Sequence, residues 1–218
     1  IRIMQPYAAA YAYTEHIGIQ TNNWQDTAIT GENFGWGMTH EIGHMMDISE
    51  RVVSETTNNM VSNFNKAANE KDGSREGHST ITNLMAPDDV NPANVWQKNS
   101  GNAAIWWNIE SIFPGYWGKL ENMYRYAKAD GMNKVEKQVY FSSIVTGIDL
   151  SYYFERYGYA LGGTMFVEDS ASAAFKSAMQ KLHDDGEIIN KELKFWYVDN
   201  MTYTYLLEYG DKLSIYDN

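Results

Sequence analysis

The chain has 218 residues, of which 44% are hydrophobic, a formal net charge of −11 and no cysteine. This length can bury a sizeable core in one domain, while the acidic balance argues against binding nucleic acid or an anionic membrane, which needs clustered Lys and Arg. Without thiols there is neither a disulfide framework nor a thiolate zinc site, so any metal must be held by His and carboxylates.

No apolar run approaches the length of a membrane span, and no feature calls for an obligate protein partner. The start at Ile1, with no charged-then-apolar leader, reads as an excised or processed piece of a longer protein. The 7 Trp and 16 Tyr stand beside abundant Asn, Gly and Ser. Core packing is the expected fate of most of these rings, and a surplus can stack on sugar faces while amides bond the hydroxyls.

In chain order, residues 11–20 ("YAYTEHIGIQ") mix aromatic and β-branched side chains and predict a strand. Residues 31–37 ("GENFGWG") read as a flexible turn, with Thr39 as cap of the following helix. A second helix is predicted from about Ser54 to Ala68. "NEKDGSREGHS" and "MAPDDVNPAN" carry turn chemistry. Helical patterns follow over 103–112, 117–129, 134–146, 150–157 and 171–183, with Gly158 placed to end the fourth. The tail segments "KFWYVD", "TYTYLLEY" and "KLSIYD" predict a small terminal sheet. The expectation is one α+β unit over 1–218, mostly helical. Its parts are a strand region with the first helices (1–70), a helical lobe (100–190) and a β-rich tail (191–218).

The chemistry concentrates in "GMTHEIGHMMD" at 37–47. Residues four apart on a helix share one face, so His40 and His44 can aim imidazole nitrogens at one point. Glu41 projects about a quarter-turn away, poorly placed as a ligand and well placed to reach a metal-bound water as general base. The alternative is a solvated helix face with two surface histidines, against which stand apolar Ile42, Met45 and Met46.

A catalytic zinc needs a third protein ligand and an open position. Asp47 is too close to His44 to close a tetrahedron with both rings. Glu50 sits where metzincins place a third histidine, but those enzymes turn the chain on a Gly where this one has Asp47. Glu55 follows after enough chain to end one helix and begin another, and it is the preferred ligand. Its competing use is a first-turn glutamate favoured by a helix dipole.

"GWGMTHEIGHMMD" followed by "SETTNNMVSNF" resembles the enhancin and mucinase-type gluzincins, the family-sixty zinc metallopeptidases. Gly35, Trp36 and Gly37 match the family's approach to the motif, and Asn58 with Asn59 matches its paired asparagines. "IWWNIESIFPGYWGKLENMYR" and "GIDLSYYFERYG" resemble its helical lobe, so the likeness runs from about Ala8 to Gly163. One departure is "HMMD", where relatives often carry polar residues; it bears on the floor of the cleft. Family domains usually extend further upstream.

The resemblance implies a zincin-like metallopeptidase domain, with Zn2+ on His40, His44 and Glu55 and with Glu41 as base. It implies a secreted or cell-surface protein, bacterial or viral, that cuts mucin-like substrates beside O-glycosylated Ser or Thr. Tyr152 and Tyr153 become candidate oxyanion donors, with no sequence signal for which one faces the site. Trp36 is a candidate substrate contact or else a plug beneath the helix. Glu15 and His16 would approach the cleft if the strand before them pairs with substrate. Asp149 reads as the cap of the helix at Leu150, and His16, His78 and His183 as isolated histidines. Two other readings remain: a peptidase with no glycan requirement, and an inactive glycan-binding module.

Overall fold

The aromatic and aliphatic residues of the central segments make the core, and helical spacing decides which of them enter it. In a computed structural model, residues 3–4, 10–12, 17–19, 35–53, 55–69, 103–156, 158–193 and 215–217 are described. Seven α-helices lie within them: α1 (Gly35–Met46), α2 (Asn59–Asn69), α3 (Ala104–Ile112), α4 (Tyr116–Tyr126), α5 (Lys134–Thr146), α6 (Ser151–Arg156) and α7 (Ala173–Asp184). The fold is α+β and mostly helical, as expected.

Helix α3 buries Ile105, Trp106, Trp107, Ile109 and Ile112. It is apolar nearly all round and forms the centre of the lobe. Helix α4 buries Tyr116, Trp117 and Leu120, and α7 buries Phe175, Met179 and Leu182 at one-turn intervals. The rings meet edge-on: Trp106 with Trp117 at 6.0 Å and with Tyr159 at 5.8 Å, and Phe154 with Tyr159 at 5.1 Å. Each such pair adds about 0.5–1.5 kcal/mol beyond its burial. Many of the aromatics weighed above as sugar platforms are therefore core.

Polar side chains fix the helix ends. Asn133 and Glu136 form a reciprocal cap at α5, Asn133 Oδ1 accepting from the Glu136 N–H at 3.0 Å while Glu136 Oε2 accepts from the Asn133 N–H at 2.9 Å. Glu136 also accepts from the Ser172 N–H at 2.7 Å, which ties α5 to the start of α7. Gly158, at φ +69°, takes the left-handed turn after α6.

Strands are few and short. β1 (Ile3–Met4), β2 (Ala10–Ala12) and β3 (Ile17–Ile19) form a sheet of order β1-β3-β2, with β2 and β3 antiparallel. The single strand expected over 11–20 is thus two strands, Ala10 pairing with Ile19 and Ala12 with Ile17. β4 (Ala160–Leu161) and β5 (Thr164–Met165) make a small hairpin, and β6 (Lys191–Leu193) pairs antiparallel with β7 (Ile215–Asp217). Of the expected tail strands only part of "KLSIYD" is described, as β7; "KFWYVD" and "TYTYLLEY" lie outside the described residues.

Two boundaries differ where function is concentrated. Helix α1 begins at Gly35, so Thr39 is a buried interior residue rather than its cap. Glycine costs about 1 kcal/mol in a helix, and close packing of α1 on α2 outweighs that. Helix α2 begins at Asn59 rather than near Ser54, because residues 55–58 form a turn with Glu55 at φ +60°. Met60 is fully buried in the lobe core, and Phe64 meets Trp107 at 5.0 Å, so α2 packs on α3. Burying a Met or Phe contributes roughly 1.5–3 kcal/mol.

Candidate metal centre

Helix α1 places His40 and His44 one turn apart, with ring centroids 4.8 Å apart and planes at 85°. The turn before α2 delivers Glu55 to both rings. Its carboxylate stands 2.9 Å from His40 Nε2 and 3.3 Å from His44 Nε2. One ligand atom from each of His40, His44 and Glu55 lies within 4.8 Å of the others. Tetrahedral zinc with bonds near 2.0–2.1 Å would hold its ligand atoms about 3.4 Å apart. The three groups fit such an ion.

Hydrogen bonding assigns the protons. Asn59 Nδ2 donates to the Glu55 carbonyl at 2.9 Å, so its Oδ1 is the atom facing His40 Nδ1, at 2.5 Å. An amide oxygen only accepts, so His40 carries its proton on Nδ1 and turns the Nε2 lone pair toward Glu55. Asn58 Nδ2 donates to the His40 carbonyl at 3.3 Å and lies 3.1 Å from His44 Nε2.

Glu41 is 7% exposed. Burial raises its carboxyl above the ordinary glutamate value; His40 and His44 oppose this, and Glu55 adds to it. It lies within electrostatic reach of all three clustered residues and outside the cluster itself.

The other acids weighed as third ligand are engaged elsewhere. Asp47 accepts from Thr57 Oγ1 at 2.8 Å and Arg51 Nη1 at 3.3 Å, while Glu50 accepts from Lys137 Nζ at 3.2 Å. Tyr153 is 2% exposed, its hydroxyl donating to the Ile105 carbonyl at 2.9 Å and accepting from Asn108 at 3.1 Å. Those contacts place the Tyr153 hydroxyl in the core of the lobe. Tyr152 is 56% exposed. Trp36 lies on the first turn of α1. Glu15, His16 and His78 fall outside the described residues. Asp149 does cap α6, accepting from the Ser151 N–H at 2.9 Å, and also meets His183 Nε2 at 2.9 Å, so His183 is not isolated.

Sequence reasoning paired Asn58 with Asn59 by resemblance but did not see what they touch. Their offsets of three and four residues from Glu55 were the available signal. Gly43 was also passed over. A Cβ there would stand 2.3 Å from the Asn58 carbonyl oxygen, and a glycine inside a helix was the visible sign of that close approach.

The fold is similar to that of solved metallopeptidase catalytic domains. The chain is similar to the ZmpB metallopeptidase from Clostridium perfringens, with TM-score 0.61 and 23% identity over 90% of this chain and 38% of that one. The M60 catalytic domain of C. perfringens ZmpC, solved in complex with the sialyl T antigen, matches with TM-score 0.61 and 19% identity over 91% of this chain and 38% of that one. The catalytic module of the metalloprotease ZmpA from the same organism matches with TM-score 0.55 and 23% identity over 80% of this chain and 33% of that one. The chain therefore spans 38% of the length of the first of these structures, and at such identities the shared property is the fold. No family model and no curated protein matches the chain.

Proposed function

We propose that the chain is the catalytic domain, or part of one, of a zinc endopeptidase that cleaves O-glycosylated, mucin-like proteins outside the cell. The observation that carries this is the convergence of His40 Nε2, His44 Nε2 and the Glu55 carboxylate beside the buried Glu41. The fold shared with metallopeptidase catalytic domains supports it.

His40, His44 and Glu55 would hold the ion, and Asn59 keeps the His40 ring in the tautomer that binds. Zinc in such a site supplies a Lewis acid and lowers the pKa of water toward ~7. Glu41 accepts the proton of the attacking water and returns it to the leaving amine. Burial suits it to this work by raising its carboxyl above the ordinary glutamate value. Neither Tyr152 nor Tyr153 is given a part in the step.

The glycoprotein substrate rests on the ZmpC catalytic domain having been solved in complex with the sialyl T antigen. No helix of the described residues is long and apolar enough to cross a membrane, which is compatible with an extracellular enzyme. The test is digestion of one O-glycosylated mucin peptide and its deglycosylated twin, each with and without chelator. Cleavage of the glycosylated form alone, abolished by chelator, is expected. Equal cleavage of both would leave a peptidase without glycan requirement, and cleavage of neither would leave a binding module.

A further inference from the structure

We propose that the buried Asp47–Arg51 pair, acting through Thr57, is a positioning device that sets Glu55, Asn58 and Asn59 against His40 and His44. This rests on the metal reading above and assigns work to residues outside the cluster. Asp47 is the first residue after α1, and its N–H still donates to the Gly43 carbonyl at 3.0 Å. Its carboxylate accepts from Thr57 Oγ1 at 2.8 Å. That hydroxyl also accepts from the Val53 N–H at 3.2 Å and lies 3.3 Å from the Val53 carbonyl. A hydroxyl has one hydrogen, and the shorter, charge-assisted contact takes it.

Thr57 follows Glu55 by two residues and directly precedes the two asparagines that touch the histidine rings. The Asp47–Thr57 bond thus fastens the end of the histidine helix to the turn that brings the third ligand. Left-handed backbone at Glu55 (φ +60°) is unfavourable for a residue with a side chain and persists only where its surroundings hold it.

Arg51 secures the other side. Its guanidinium, 2% exposed, donates to Asp47 and to Glu121, and its carbon lies 4.2 Å from the Trp117 ring centroid. Glu121 and Trp117 both belong to α4, so the stretch between His44 and Glu55 is fixed to the helical lobe as well as to α1. A purely structural ion pair would have no reason to end on the residue before Asn58.

The experiment titrates zinc into the full chain against a chromophoric chelator and records metal-free melting temperatures. Thr57→Val removes the hydroxyl at constant volume, Thr57→Ser restores it, and Asp47→Asn removes the charge. Ser142→Ala serves as a control, since Ser142 is buried in the lobe and bonded to Tyr116 and Gln138. Thr57→Val and Asp47→Asn should weaken zinc binding by about 10–100-fold, the range for outer-shell partners. Thr57→Ser should bind like the parent, and Ser142→Ala should melt earlier with zinc affinity kept.

Zinc affinity in Thr57→Val equal to the parent's would overturn the proposal. So would a loss that Ser142→Ala reproduces at the same drop in melting temperature. If Asp47→Asn does not fold, the Thr57 pair decides alone. A parent chain that binds no zinc would instead remove the metal reading itself, and this inference with it.

Discussion

Gly43 packs against the backbone of Asn58 so tightly that a Cβ at residue 43 would stand 2.3 Å from the Asn58 carbonyl oxygen and 2.7 Å from its Cα. Backbone atoms cannot swing aside as a side chain can, so Gly43→Ala must push α1 and the turn before α2 apart. Overpacking of this kind typically costs about 1–3 kcal/mol. The variant should melt earlier, and its zinc affinity should fall along with its stability, because Asn58 and Glu55 move away from the rings. Unchanged metal affinity in a destabilised Gly43→Ala would show that the close approach serves packing alone.

Glu41→Gln separates binding from chemistry. The variant should hold zinc as the parent does and lose activity by the factor of about 10²–10⁴ typical of a general base, measured on the glycosylated peptide. Turnover within a few-fold of the parent would place the base elsewhere.

The same residue gives a pH signature in the metal-free protein. Burial raises the Glu41 carboxyl above its ordinary value of 4.5, so the folded state binds the proton more tightly than the unfolded chain does. Its contribution to stability is present below the unfolded value and is lost as pH rises through the folded one. In chelator, the melting temperature of Glu41→Gln relative to the parent should climb between pH 4 and pH 7. A flat or falling difference would contradict the burial argument.

Metal addition should stabilise the parent and not the ligand variant. Free zinc at a hundred times its Kd adds about 2.7 kcal/mol to a protein that binds it only when folded. Glu55→Ala should lose most of that gain in a thermal shift assay. An equal gain in Glu55→Ala would mean that the carboxylate is not a ligand.

How far the sequence reveals this molecule differs between its parts. The helical lobe was legible because 103–112, 117–129, 134–146, 150–157 and 171–183 read as helical runs, with Gly158 marking the end of the fourth. The pairing of His40 with His44 was legible because one helix fixes their spacing. The turn at 55–58 was not. Nothing about Glu55 announces left-handed backbone, and the contacts that hold it there come from Thr57, Asp47 and Asn59 across the fold. The surroundings of Tyr153 were not legible for a similar reason: Asn108 and the Ile105 carbonyl, far away in sequence, decide where its hydroxyl goes. Local pattern shows elements, whereas the fate of a single polar side chain is settled by distant partners.

The most direct test is diffraction from zinc-soaked crystals of the chain at the zinc absorption edge. One anomalous peak is predicted, about 2.0–2.2 Å from His40 Nε2, His44 Nε2 and a Glu55 carboxylate oxygen. A peak held by other residues, or none while Glu55 still faces the two rings, would contradict the account.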